Sequence, residues 1–259
     1  MKIRFLGTGT SNGVPVIGCE CAVCRSQNPR NKRSRASILV EFQGARVLVD
    51  AGPDLRQQAL AAELSTIDAV LFTHGHADHT HGIDDLRVFT WERPLPAYGS
   101  EYTMAGLRRT FAYIMDPEHW TAGRPQVESH VLNGEAVAVG DARVLPIPIM
   151  HGKRRIYGYR FGRFAYLTDC SAIPDESYGL LEGVDVVVLD ALRRRAHPTH
   201  FTVDEAVAEA RRLGVSQAYL THMCHDLDHD ELAASLPPEI QPAYDGLEIE
   251  LPESSSGQP

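Results

Sequence analysis

The chain has 259 residues, 43% hydrophobic and 23% charged, with a net charge of −9 and a sequence pI near 5.7. These proportions are ordinary for a globular protein, and a chain this long buries a large core without disulfide staples. The acidic balance excludes a general nucleic-acid coat, which needs a basic face, but leaves room for a small anionic substrate in a local pocket.

The N-terminus MKIRFLGTGTSNG lacks the apolar core of a signal peptide. No stretch approaches the ~20 apolar residues that span a bilayer, so no membrane contact is expected. Five cysteines, three of them crowded together, fit a cytoplasmic protein with reduced thiols.

In chain order, Lys2–Leu6 reads as a short apolar strand running into the glycine-rich turn Gly7–Gly13. That turn lacks the Gly-Lys-Ser/Thr ending of a nucleotide loop, and no capped helix follows. It reads instead as a tight loop near the functional site. Further strands are predicted over Ser37–Phe42, Ala45–Val49 and Ala69–Phe72. A helix is expected from about Glu101 to Tyr113 with Ser100 as its cap. Strands follow over Ala142–Ile149, Phe164–Leu167, Val184–Leu189 and Ala218–Leu220. Between the last two, Thr202 and Glu205 form a capping-box pattern. Val203, Ala206, Val207, Ala210 and Leu213 then share one face, and Gly214 ends the run. No linker or solenoid repeat divides the chain. One α/β domain over residues 1–259 is expected, with about 253–259 as a frayed tail.

The chemistry concentrates at His74-Gly-His76-Ala-Asp78-His79, directly after the apolar run AVLF and Thr73. Three imidazoles and a carboxylate within six residues are poorly satisfied without metal, because any protonation sets like charges in contact. With divalent ions each group is used. His74 and His76 can point the same way, while Asp78 and His79 face a neighbouring site. His151, Asp169 and His222 each follow a predicted strand, as a site built on sheet ends requires. Asp50 also follows a strand and reads as a support for a ligand rather than a ligand. His81 and Asp84 read equally as supports or as ordinary loop residues.

Cys19-x-Cys21-x-x-Cys24 has the spacing of thiolates around a tetrahedral zinc that needs one more ligand. His225, Cys224 and His229 are the candidates for that fourth place.

The pattern His-x-His-x-Asp-His with the later His, Asp and His resembles the metallo-β-lactamase superfamily. That resemblance implies a four-layer αββα sandwich. It assigns His74, His76 and His151 to one metal, and Asp78, His79 and His222 to a second, with Asp169 bridging. GTGTSNGVPVIGCECAVC and LTHMCHDLDHDEL narrow it to the phosphoribosyl cyclic phosphate phosphodiesterases of the carbon–phosphorus lyase pathway of phosphonate breakdown. The similarity runs from Lys2 to about Ile249. It implies a structural zinc on Cys19, Cys21, Cys24 and His225, two catalytic divalent ions (manganese or zinc), and a catalytic histidine at His200, with Asp78 also in the reacting centre. Cys224 departs from the small polar residue expected beside His225.

His197 is held in reserve for His200, with Thr199 as a helper. Arg33, Arg35, Arg87, Arg193, Arg194 and Arg195 are the candidate phosphate contacts, with no basis for choosing among them. The expected reaction is hydrolysis of a cyclic phosphodiester, with two metals lowering the pKa of a shared water toward ~7. By resemblance, 5-phosphoribosyl 1,2-cyclic phosphate gives ribose 1,5-bisphosphate. A tRNA-processing nuclease, a thioester, lactone or β-lactam hydrolase, and a pyrroloquinoline-quinone biosynthesis protein are the rival readings. A homodimer is the default assembly for a soluble oligomer.

Overall fold

A computed structural model describes residues 1–116 and 123–252. The first sheet takes β1 (Lys2–Gly7), β2 (Ser37–Phe42), β3 (Ala45–Val49), β4 (Ala69–Leu71), β5 (Leu95–Ser100) and β6 (Val127–Leu132). The second takes β7 (Val137–Val139), β8 (Ala142–His151), β9 (Arg154–Phe161), β10 (Phe164–Leu167), β11 (Val186–Asp190), β12 (Gln217–Thr221) and β13 (Ile240–Pro242). The chain then returns to the first sheet as β14 (Glu248–Glu250) beside β1. The spatial orders are β14-β1-β2-β3-β4-β5-β6 and β13-β12-β11-β10-β9-β8-β7. In each sheet antiparallel hairpins give way to three parallel pairings. Parallel neighbours need long crossovers, which is where most of the helices lie.

Alternation along the strands builds four layers. Val47 and Val49 of β3 point inward and meet Phe164, Tyr166 and Val188 of the second sheet, in an apolar layer between the sheets. Leu48 and Val70 point outward, where Leu55, Ile83, Met104 and Leu107 cover them. Ala165, Leu167, Val187 and Leu189 likewise face outward beneath Ala206 and Ala210. Strands buried on both faces read as continuous apolar runs, which is why β3, β10 and β11 were legible in the sequence. The result is the αββα sandwich expected.

The helix Val203–Leu213 carries the reciprocal capping box of Thr202 and Glu205, and Gly214 closes it at φ 67°. An N-cap of this kind contributes about 1 kcal/mol. The helix expected over Glu101–Tyr113 is shorter. Glu101–Thr110 starts at the Ser100 cap, and the ladder breaks at Phe111 before a separate turn, Ala112–Met115. Strand ends also move: β1 continues to Gly7, β4 stops at Leu71, β8 continues to His151, β11 runs Val186–Asp190 and β12 runs Gln217–Thr221. The tail expected to fray, 253–259, lies outside the described residues. Among the described residues no helix is long and apolar enough to cross a membrane.

A candidate dinuclear metal centre

The strands end together along one edge of the sandwich, and their last residues make the site. Asp50 follows β3, Thr73 and His74 follow β4, His151 ends β8, Asp169 follows β10, Asp190 ends β11, and His222 follows β12. Open parallel sheets place their sites at carboxyl ends of strands for this reason. Asp50, Asp169 and His222 adopt left-handed backbone, at φ 65°, 57° and 60°. That conformation is costly for residues with a Cβ, and it turns each side chain sharply off its strand into the cleft. The motif itself is pinned from below: a Cβ on Gly52 would come 2.1 Å from the carbonyl oxygen of Asp78, so only glycine fits there.

Two groups of ligand atoms result. His74, His76 and His151 form one; Asp78, His79, Asp169 and His222 form the other. Asp169 stands between them. Its Oδ2 lies 3.1 Å from His79 Nε2, and its Oδ1 lies 3.3 Å from His222 Nε2 and 3.9 Å from His74 Nε2. Asp78 Oδ2 is 3.3 Å from His79 Nε2 and 3.6 Å from His222 Nε2.

The outer nitrogens of these rings are tied down. His79 Nδ1 donates to Asp50 Oδ2 at 2.6 Å, and Asp50 also accepts from Thr73 N and Thr73 Oγ1, both at 2.8 Å. His74 Nδ1 donates to Thr73 Oγ1 at 3.1 Å, and His151 Nδ1 to the Asp169 carbonyl at 3.0 Å. Each of these bonds leaves Nε2 as the ligating nitrogen and aims it inward. Asp50 therefore fixes the ring of His79, a candidate ligand, and joins neither ligand group itself. Burial, reinforced by neighbouring histidines, lowers the His74 pKa well below its usual range and keeps that ring neutral. Burial opposes charge on His79 too, but Asp169, Asp50 and Asp78 outweigh it and raise its pKa.

The buried atoms His74 Nε2, His79 Nε2, His222 Nδ1 and His222 Nε2 have no hydrogen-bond partner. Orphaned polar atoms this deep are rare and costly. Nitrogen and carboxylate donors converging on common points, with Nε2 lone pairs unmet, fit divalent cations.

A second cluster sits at the end of the cysteine loop. Cys19, Cys21 and Cys24 Sγ lie 3.2, 3.6 and 3.5 Å from His225 Nδ1. A tetrahedral zinc with bonds of about 2.3 Å to sulfur and 2.0 Å to nitrogen spaces those atoms about 3.5 Å apart. Cys24 N–H donates to Cys21 Sγ, and that bond leads in lowering the Cys21 thiol to about 6, toward the thiolate a metal needs. Of the three candidates for the fourth place, only His225 is in the group. Cys224 Sγ accepts from Asp226 N, and the His229 ring packs edge-on against Tyr244. The loop Gly7–Gly13 runs beside this region, with Met223 N–H donating to Thr8 O and Thr10 N–H to Met223 O.

His200 lies against the centre. Its ring stacks on His222 with centroids 4.8 Å apart, and its Nδ1 donates to Asp190 Oδ2 at 2.6 Å. Asp190 escaped the sequence reading, although it follows VVVL just as Asp50 follows VLV. His197 sits farther out, its Nδ1 bonded to Thr199 Oγ1 at 3.1 Å, with its ring 5.0 Å from His200. His81 and Asp84 join neither group: His81 packs edge-on against Phe111, and Asp84 pairs with Arg87 and Tyr113.

The six arginines offered for phosphate binding are otherwise engaged. Arg33 is 1% exposed and donates to the carbonyls of Cys224 and Leu227, bracing the loop beyond His222. Arg35 pairs with Asp54, Arg87 with Asp84, and Arg195 with Asp226. Arg193 donates to the carbonyls of Arg195 and Ala196, and Arg194 to Ser235 Oγ.

Residues 45–223 match the β-lactamase superfamily domain. The chain belongs to the metallo-β-lactamase superfamily. Within that superfamily it is similar to a solved structure described as a new diphosphatase from the PhnP family. The two share 45% identity with a TM-score of 0.91, over 97% of this chain and 98% of that one. The zinc-bound PqqB of Methylobacterium extorquens shares its fold, at 19% identity and TM-score 0.80 over 97% and 100% of the two chains. An octanoyltransferase of Porphyromonas gingivalis is 38% identical over 257 residues, which is 98% of this chain but 52% of that protein. The chain thus spans about half the length of that relative.

Because Asp50 holds His79 in place, Asp50→Asn is expected to weaken metal affinity about 10- to 100-fold, the usual effect of losing such a support. Titration of the variant with Mn2+ or Zn2+ beside the parent measures this, and equal affinities would exclude the role.

Proposed function

We propose that this protein is a metal-dependent hydrolase, a phosphodiesterase that opens the cyclic phosphodiester of a sugar phosphate, 5-phosphoribosyl 1,2-cyclic phosphate, to ribose 1,5-bisphosphate. The observation that carries the reading is the position of Asp169 within reach of both ligand groups, beside the bonded pair His200–Asp190. In this reading His74, His76 and His151 would hold one divalent ion and Asp78, His79 and His222 the other, with Asp169 available to both. Cys19, Cys21, Cys24 and His225 would hold a structural zinc. Manganese or zinc in the first two places would acidify a water and take up charge on the phosphoryl oxygens.

The protein's own groups do the rest. Asp50 and Thr73 fix the ring orientations of His79 and His74. Asp190 Oδ2 accepts the Nδ1–H of His200, so Nε2 is the nitrogen that, once protonated, would give its proton to the leaving sugar oxygen or hold the phosphate. Residues 1–259 serve as one domain in this account. The five free thiols suit the reducing cytoplasm. The acidic chain favours a small anionic ester over RNA, and a homodimer is the expected assembly.

A second reading is cleavage of a diphosphate, favoured by the 45% identical diphosphatase. The test is hydrolysis by manganese- or zinc-loaded protein of the ribosyl cyclic phosphate, a nucleoside diphosphate sugar and an octanoyl thioester. Turnover of the cyclic diester, with kcat falling about 10²- to 10⁴-fold in His200→Ala, supports the proposal. Diphosphate cleavage without diester cleavage moves the substrate to the second reading. Thioester turnover alone overturns both.

A further inference from the structure

We propose that Arg154, held on the ring of Tyr102 at the mouth of the centre, binds a second, non-reacting phosphate group of the substrate. This rests on the reading of the substrate as a phosphate ester, and it names the subsite that the six tied arginines leave unfilled.

Geometry makes the case. His151 and Arg154 face each other across the last rung of the β8–β9 hairpin. Directly opposed residues of an antiparallel pair project from the same face, with Cβ atoms about 4.5–5.5 Å apart. The side chain that carries His151 into the centre therefore has Arg154 beside it. The hairpin is anchored at both flanks. Tyr157 N–H donates to Thr73 O, next to His74, and the tip at Gly152 abuts Thr199, next to His200.

The guanidinium of Arg154 is exposed and lies 3.9 Å from the centre of the Tyr102 ring, at the start of the helix that follows β5. The pair so links the β8–β9 hairpin of the second sheet to the helix that follows β5 of the first. His76 is the exposed member of its ligand group.

The Arg154 guanidinium has no hydrogen-bond or ion-pair partner among the described residues, unlike each of the six arginines above. Stacking on an aromatic face leaves the N–H fork in the plane of the guanidinium free for a phosphate. Such a fork matches the oxygens of a phosphomonoester and contributes through paired, charge-assisted hydrogen bonds.

The test uses metal-loaded enzyme with bis-p-nitrophenyl phosphate as reporter and ribose 5-phosphate as competitor. In Arg154→Met the inhibition constant of ribose 5-phosphate is expected to rise about 10- to 100-fold beyond any change in the reporter's KM. Arg154→Lys, which keeps the charge without the fork, should recover part of the loss. Lys153→Met on the same hairpin should show little of it. The proposal is overturned by an unchanged inhibition constant, by an equal effect of Lys153→Met, or by a reporter KM that rises as much. If the wild type does not cleave the diester, the phosphodiesterase reading fails separately. Calorimetric titration of ribose 5-phosphate into wild type and Arg154→Met then decides this proposal by the same criterion.

Discussion

Asp169→Ala is expected to lower kcat on a phosphodiester by about 10³-fold or more and to leave the purified protein with fewer bound divalent ions. The carboxylate is 1% exposed and stands within 3.9 Å of imidazoles from both ligand groups. Its loss uncouples the two groups. Metal-assisted charge stabilisation amounts to several kcal/mol, and each 1.36 kcal/mol is tenfold in rate. Asp169→Asn, which keeps shape and one acceptor oxygen but not the charge, should fall between parent and alanine. Metal analysis by mass spectrometry beside steady-state kinetics reads both effects. A variant with parental metal content and less than a tenfold loss would mean that Asp169 is not shared between the two groups.

If the cysteine cluster holds the proposed zinc, Cys21→Ser should release it and loosen the end of the molecule that carries His222. The cluster joins the cysteine loop to His225, three residues beyond His222, and Arg33 braces the same segment from beneath. Structural zinc sites contribute about 10–16 kcal/mol in small domains. In a domain of this size each kcal/mol moves Tm by about 2–4 °C, so losing even about 4 kcal/mol lowers it by roughly 8–16 °C. The comparison is Cys224→Ser, which lies outside the cluster and should keep its zinc. Zinc retained in Cys21→Ser would remove Cys21 from the ligand set, and zinc lost equally from Cys224→Ser would reassign the fourth place.

The sequence by itself determined the apolar strands and the candidate donors at their ends, while the four layers were implied by a family resemblance. Strands buried on both faces announce themselves as apolar runs, and the residues just past their ends are the ones that can reach a shared edge. Thus His74, His151, Asp169 and His222 were readable before any coordinates, as were the Cys19–Cys24 cluster and the capped helix at Thr202. Strands with weak patterns were not. β5 carries Pro96 and Gly99, β6 is largely exposed, and β9 opens with two arginines and contains Gly158.

Tertiary structure alone decided which partner each polar group meets. Local pattern could not separate Arg33, which the fold buries against carbonyls, from arginines that face solvent. It could not choose His225 over Cys224, since adjacent residues point apart and only the backbone path shows which one faces the thiols. Nor could it join Asp190 to His200, or set Arg154 opposite His151, because both depend on strand register. Periodicity is local and survives in one dimension. Hydrogen bonds and ligand groups are made between segments brought together by packing, and their partners exist only once that packing is complete.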